Sequence, residues 1–175
     1  PEKGILECAE AIARVLPSFP EWQLIIAGAR RFEKTKRGSY EDKIAAAIEP
    51  LGSRAEMLGF ISIQEMRDLQ ARASIAACPS LWNEPISKVV LESLAAGCAL
   101  LTTRRGGIPE VADSRAMLVD EPSVTTFSTG FRTLLGDDAI RQNLQDKAWR
   151  DFPFTAKQMA KDADSLRLIA LLRES

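Results

Sequence analysis

The sequence contains no histidine, which removes the commonest general base together with the Ser-His, Cys-His and His-metal arrangements built on imidazole. Any catalysis must use carboxylates, backbone amides, lysine or arginine. Cysteine is sparse: Cys8, Cys78 and Cys98 lie far apart, within apolar patterns, and lack the paired spacing of a zinc site. They are expected to be reduced core residues, and no metal site is expected. No apolar run approaches the roughly 20 residues that span a bilayer, and the N-terminus lacks the basic and apolar zones of a signal peptide. A cytoplasmic location is the resulting expectation. Neither charge is in excess, with 23 Lys and Arg against 24 Asp and Glu. This balance gives no electrostatic pull toward nucleic acid, and no nucleic-acid partner is expected.

What is present is enough apolar residue, 46% of 175 positions, to bury a core in one domain. After P-E-K-G, the positions Ile5, Cys8, Ala9, Ile12 and Leu16 recur at helical spacing. The apolar run Trp22 to Gly28 reads as a buried parallel strand. Ala29 to Gly38, with five basic residues, reads as a solvated loop. Ser39 with Asp42 resembles a cap opening a helix through Ile44, Ile48 and Leu51, and a strand is expected around Glu56 to Leu58. Ser62 with Glu65 forms a clearer capping box, and Ile63, Met66 and Leu69 are expected to face inward from the helix that follows. Ile75 to Cys78, Ala99 to Thr103 and Ala116 to Val119 supply further strands.

Beyond Asp120 the pattern is helical through Phe127, Phe131, Leu134 and Leu135, then through Ile140 and Leu144. A last helix is expected to open at Thr155, with Gln158 in capping-box register, and to run through Met159, Ala163, Leu166 and Ile169. The order predicts an α/β, doubly wound (Rossmann-like) parallel sheet with helices on both faces and a helical C-terminal segment.

The densest chemistry lies in Ser80 to Pro109. Pro85 suits the first position of a helix, Glu84 precedes it, and Glu92 follows about two turns along. The first-turn amides of Ile86, Ser87, Lys88 and Val89 would then point at the carboxyl edge of the sheet, where an anion fits. At about 100° per residue, Ile86, Val90, Leu91 and Leu94 share one arc, and Lys88 and Glu92 lie opposite. Lys88 in a first turn calls for a compensating anion. Spacing alone leaves two readings open: an anion and polyol site, or a surface i,i+4 pair with a capping acid. Trp82 reads more readily as a packing anchor than as a stacking platform. Arg104 to Glu110 reads equally as a loop that helps close a site and as an ordinary turn into a short helix.

The segment E-P-I-S-K-V-V-L-E resembles the Glu-x7-Glu signature of retaining nucleotide-sugar glycosyltransferases with the GT-B fold (group 1, family 4 type), whose usual form is E-P-F-G-L-V-x-L-E. The flanking P-S-L-W and A-A-G-C-A-L-L-T-T-R-R-G-G-I-P-E-V, the opening P-E-K-G, and L-G-F-I-S at Leu58 to Ser62 resemble further family segments, in order along the chain. The resemblance implies that residues 1–175 are a single donor-binding domain, the C-terminal half of a two-domain enzyme whose acceptor domain is absent. It implies that Glu84 contacts donor-sugar hydroxyls, Glu92 holds the ribose hydroxyls and Lys3 neutralises the diphosphate. The amides of Ile86 to Val89 would cradle that diphosphate. Gly28 and the Leu58 to Ile61 segment with its Phe60, each at or just past a strand end, would frame the nucleobase.

The implied substrate is a nucleotide-diphosphate sugar, with no cofactor and no metal. The implied acceptor is a glycan or lipid-linked molecule reached through the missing domain, in surface polysaccharide or lipopolysaccharide synthesis, with peripheral contact at the inner face of a membrane as a further setting. Ile86, Ser87 and Lys88 depart from the usual Phe-Gly-apolar triplet, and an arginine expected shortly before Lys3 is missing. A non-catalytic nucleotide- or glycan-binding module, or a sugar-nucleotide epimerase or phosphorylase of the same fold, are the other readings.

Overall fold

The computed structural model describes residues 2–28, 38–83, 85, 87–150, 152 and 155. The first helix, α1, spans Ile5–Val15 and buries Cys8, Ala9, Ala11, Ile12 and Val15, the face that the apolar spacing foretold. Its N-cap is Gly4, which has no side chain to satisfy a first-turn amide. Tyr40 supplies that partner from the next helix, its hydroxyl accepting from the Leu6 N–H at 3.1 Å. At the other end, the chain passes through a short 3-10 turn, Leu16–Ser18, whose Leu16 carbonyl and the Phe19 carbonyl accept from Arg54 at 3.0 and 3.2 Å.

Strand β1 (Leu24–Ala27) is followed by α2 (Ser39–Ile48), a 3-10 segment (Glu49–Arg54) and β2 (Ala55–Gly59), which pairs with β1 in parallel. Then come α3 (Ile63–Arg72), β3 (Ile75–Cys78), α4 (Lys88–Ala95), β4 (Ala99–Thr103), α5 (Ile108–Ala112) and β5 (Ala116–Val119). Helices α6 (Val124–Gly136) and α7 (Asp138–Arg150) follow without another strand among the described residues. Strands β3, β4 and β5 form a parallel group with β4 at its centre.

The pleat of β4 explains the two layers of helices. All five of its residues are buried, and successive side chains point to opposite faces. Leu101 packs with Ile12 and Val15 of α1 and with Phe127, Phe131 and Leu134 of α6. Leu100 instead packs with Val90 and Leu94 of α4, Ile108 and Val111 of α5, and Ala148 of α7. This is the α/β, Rossmann-like arrangement predicted, with one qualification. The ladder hydrogen bonds form two groups, β1-β2 and β3-β4-β5, rather than one continuous sheet. The groups share a core, because Leu24, Ile26 and Met57 pack against the cluster that holds Ala99 and Leu101.

Three local expectations are corrected. The cap of α2 lies one residue earlier than Ser39 and Asp42 imply: the Gly38 N–H donates to the Glu41 carboxylate at 3.1 Å. Ile63 does not face inward but is 73% exposed. As the first residue of α3, it projects back past the start of the helix, and Met66, Leu69 and Gln70 carry the covered side. The capping box itself is present, with the Glu65 N–H donating to Ser62 Oγ at 3.2 Å and the Ser62 N–H donating to the Glu65 carboxylate at 2.6 Å. Pro85 is not the first residue of α4, which starts at Lys88 after an extended Ser87 (φ −86°, ψ 109°). The basic loop at 29–37 and the helix expected from Thr155 onward lie, beyond Gly38 and Thr155 themselves, outside the described residues. Among the described residues, no helix is long and apolar enough to cross a membrane.

Candidate functional site

Strand β3 delivers the chain to Pro79–Asn83, and this loop is fastened from three directions. From β4, the Thr102 hydroxyl donates to the Cys78 carbonyl at 2.8 Å, and the buried Thr103 hydroxyl donates to the Ser80 carbonyl at 2.6 Å. From the turn after β4, the Gly106 N–H donates to Asn83 Oδ1 at 3.2 Å. From the start of the chain, the Leu81 N–H reaches the Glu2 carbonyl at 2.9 Å. The last bond runs beside a tight approach: a Cβ on Gly4 would stand 2.1 Å from the Pro79 carbonyl oxygen. Only glycine admits that contact, and Gly4 also has φ +63°.

This backbone contact sets Lys3 beside the loop, with its Nζ 5.5 Å from the centroid of the Trp82 ring. Trp82 is therefore not the packing anchor expected. It is 45% exposed, and Leu81 makes the inward contact with Gly4 instead.

Helix α4 begins beyond the loop. Its first internal hydrogen bond is from the Leu91 N–H to the Ser87 carbonyl at 3.2 Å, so the amides of Lys88, Val89 and Val90 precede the helical ladder. Of the amides expected at Ile86 to Val89, those of Lys88 and Val89 fall in this first turn, and Val90 joins them. Ser87 is buried at the N-cap, and its hydroxyl makes no capping bond. Lys88, Val89 and Glu92 are exposed, while Val90, Ser93 and Leu94 are buried. Lys88 and Glu92 form no ion pair with each other or with another described residue, so the i,i+4 contact itself is not made. Glu84 and Ile86 lie outside the described residues.

Gly28 and Phe60 are brought together separately, at the carboxyl ends of β1 and β2. The Gly28 N–H donates to the Gly59 carbonyl at 2.7 Å, and open space lies where a Gly28 side chain would stand. The sequence reading did not single out Asn83 or Thr103, which hold the loop in place. Their only signal is a polar residue at the end of an apolar strand or just before Glu84. Arg104 to Glu110 is a turn into α5 that is also tied to the site through Gly106. Arg104 itself pairs with Asp113 (2.6 Å) and Asp120 (2.7 Å), and those hydrogen bonds, Asp113 first, hold its pKa above the usual value.

None of the three cysteines forms a disulfide, and none belongs to a metal-binding group among the described residues. Burial, with smaller contributions from Cys78 and Glu7, pushes the Cys8 thiol well above its usual range. Burial alone takes Cys98 up to about 11. Both are neutral packing groups rather than nucleophiles.

The arrangement offers a cation and first-turn helix amides beyond the carboxyl end of a parallel strand, a place where open α/β folds bind ligands, with the exposed Glu92 about one turn along the helix. Residues 1–151 match the family of Glycosyl transferases group 1. The chain belongs to that family. This group 1 glycosyl transferase chain is 30% identical over 157 residues to a GDP-mannose-dependent monoacylated alpha-(1-6)-phosphatidylinositol monomannoside mannosyltransferase of Corynebacterium glutamicum, covering 86% of this chain and 39% of that protein. It is 29% identical over 111 residues to the lipopolysaccharide 1,2-N-acetylglucosaminetransferase of Salmonella typhimurium, covering 63% of this chain and 29% of that protein. The chain spans well under half the length of these relatives. In fold it matches the C-terminal domain of a group 1 family protein from Francisella tularensis (TM-score 0.74, 22% identity, 85% of this chain and 77% of that one). It also matches Anabaena HepE in complex with UDP and glucose (TM-score 0.77, 20% identity, 95% of this chain and 45% of that one).

Proposed function

We propose that this chain is the donor-binding part of a retaining glycosyltransferase and holds a nucleotide-diphosphate sugar at the start of α4. The observation that carries the reading is the Gly4–Pro79 contact, which brings Lys3 to the loop leading into α4. A cation and the free amides of Lys88, Val89 and Val90 then serve one short stretch of chain. Such groups stabilise a diphosphate, and they act most strongly where negative charge grows as the glycosidic bond to the leaving phosphate breaks. The exposed Glu92, paired with no described residue, accepts the two ribose hydroxyls, a diol that one carboxylate can hold through charge-assisted hydrogen bonds.

Glu84, just before this helix start, takes the donor-sugar hydroxyls. The leaving phosphate accepts the proton of the attacking hydroxyl, so this half of the site needs neither histidine nor a metal. Gly28 and Phe60 border the nucleobase. The HepE complex with UDP and the GDP-mannose-dependent relative support a nucleotide-sugar donor. The lipopolysaccharide and phosphatidylinositol mannoside relatives support a glycan or lipid-linked acceptor.

The test is transfer by the protein with its acceptor-binding part. UDP-, GDP- and ADP-sugars are supplied with a chelator present, and the anomeric configuration of the product is read by proton NMR. The proposal expects transfer with retention that survives the chelator and is lost in Glu84→Ala. An inverted product refutes the retaining mechanism, chelator-sensitive transfer refutes metal independence, and full activity of Glu84→Ala refutes the sugar-contact role. Nucleotide binding without turnover favours a non-catalytic module.

A further inference from the structure

Trp82 stands out because a large aromatic ring is left 45% exposed, and the group over it is the ammonium of Lys3, 5.5 Å from the ring centroid. The two side chains come from distant parts of the sequence, and backbone contacts bring the segments that carry them together. The Leu81 N–H is bonded to the Glu2 carbonyl at 2.9 Å, and Gly4 is wedged against Pro79, so the residues that flank Lys3 are fixed to the residues that precede Trp82. On its other side, the same loop is held through Ser80 to Thr103 and through Asn83 to Gly106. The Trp82 carbonyl is itself within reach of the Ser80 hydroxyl at 3.5 Å.

We infer that the indole of Trp82 is a positioning element for Lys3, holding its ammonium toward the donor's diphosphate. The inference rests on the donor-site reading above. The chemistry suits the task. A lysine has a long, flexible stem and loses considerable rotamer freedom when it is fixed in one place. The negative face of an indole attracts the ammonium and narrows its range. An indole carries no net charge, so this contact does not itself neutralise the ammonium. Trp82 thereby lowers the entropic cost of recruiting Lys3 when the nucleotide binds, without touching the nucleotide itself.

The test is a double-mutant cycle read by calorimetric titration of UDP, GDP and ADP into the wild-type chain, Trp82→Leu, Lys3→Met and the double variant. For whichever nucleotide binds, Trp82→Leu is expected to raise Kd by about two- to fivefold, the scale of an exposed cation–π contact. In the Lys3→Met background, the same change is expected to have no further effect. Trp82→Phe, which keeps an aromatic face, is expected to recover most of the affinity. A loss of equal size in both backgrounds, or no rescue by phenylalanine, overturns the inference while leaving nucleotide binding intact. Failure of the wild-type chain to bind any of the three nucleotides overturns the donor-site reading and this inference with it. Thermal unfolding of each variant checks that the exposed ring can be replaced without loss of fold.

Discussion

Gly4 and Pro79 meet so closely that the first carbon of any side chain on Gly4 would stand 2.1 Å from the Pro79 carbonyl oxygen. That contact joins the entry to α1 to the loop after β3, and it is the reason Lys3 stands at the candidate site. The Gly4→Ala variant must separate the two segments as well as strain a backbone at φ +63°. A loss of about 2–4 kcal/mol of stability is expected, together with weaker nucleotide binding. Gly52→Ala is the control, since its φ is +57° and open space surrounds it. With ψ −132° it lies in a region largely confined to glycine, so it should cost the backbone strain alone, about 1–3 kcal/mol, and leave binding unchanged.

Glu92 is assigned to the ribose hydroxyls, so its removal should do more than weaken binding. Glu92→Ala is expected to raise Kd for the ribonucleotide by roughly tenfold, the scale of a charge-assisted hydrogen bond. It should also abolish discrimination between ribose and 2′-deoxyribose nucleotides, measured by paired titrations. A variant that still prefers ribose as strongly as the wild type would refute the assignment.

Thr103 anchors the loop through a buried 2.6 Å bond to the Ser80 carbonyl. Thr103→Val keeps the shape but removes the hydroxyl donor to that carbonyl. A loss of about 1–2 kcal/mol is expected in urea unfolding, with a larger proportional loss in nucleotide affinity if the loop carries Trp82 as described. Unchanged stability would show that the bond is replaced or unimportant.

The Cys98 thiol, raised by burial from 9.0 to about 11, sets an alkaline limit. The folded state keeps the proton that the unfolded chain gives up, so this contribution is complete below pH 9.0 and is lost as pH rises toward about 11. Cys8 adds to the same slope. The urea midpoint of the wild type should therefore fall across that window, and Cys98→Ala should show a shallower fall. Equal slopes would remove Cys98 from the account.

Much of the fold was readable because its strands are short apolar runs bounded by polar or glycine residues. The runs at Ile75–Cys78, Ala99–Thr103 and Ala116–Val119 appear in the structure with those same bounds. What was not readable depended on neighbours. Ile63 fits a helical stripe, yet at the first position of α3 it stays exposed. Proline preference placed the start of α4 at Pro85, whereas Ser87 holds an extended conformation and defers the helix to Lys88. Spacing could pair Lys88 with Glu92 on one face, but not say whether they bond to each other. The approach of Lys3 to Trp82 has no local signal at all, because it is made by a tertiary contact at Gly4. Only the resemblance of P-E-K-G to a family segment pointed to Lys3.

The most direct measurement is calorimetric titration of the wild-type chain with UDP-, GDP- and ADP-sugars, alongside Lys3→Met. The account predicts saturable binding of at least one of these donors at one site per chain, weakened roughly tenfold when the Lys3 cation is removed. Absence of binding by all of them, or binding indifferent to Lys3, would contradict a donor site at the start of α4.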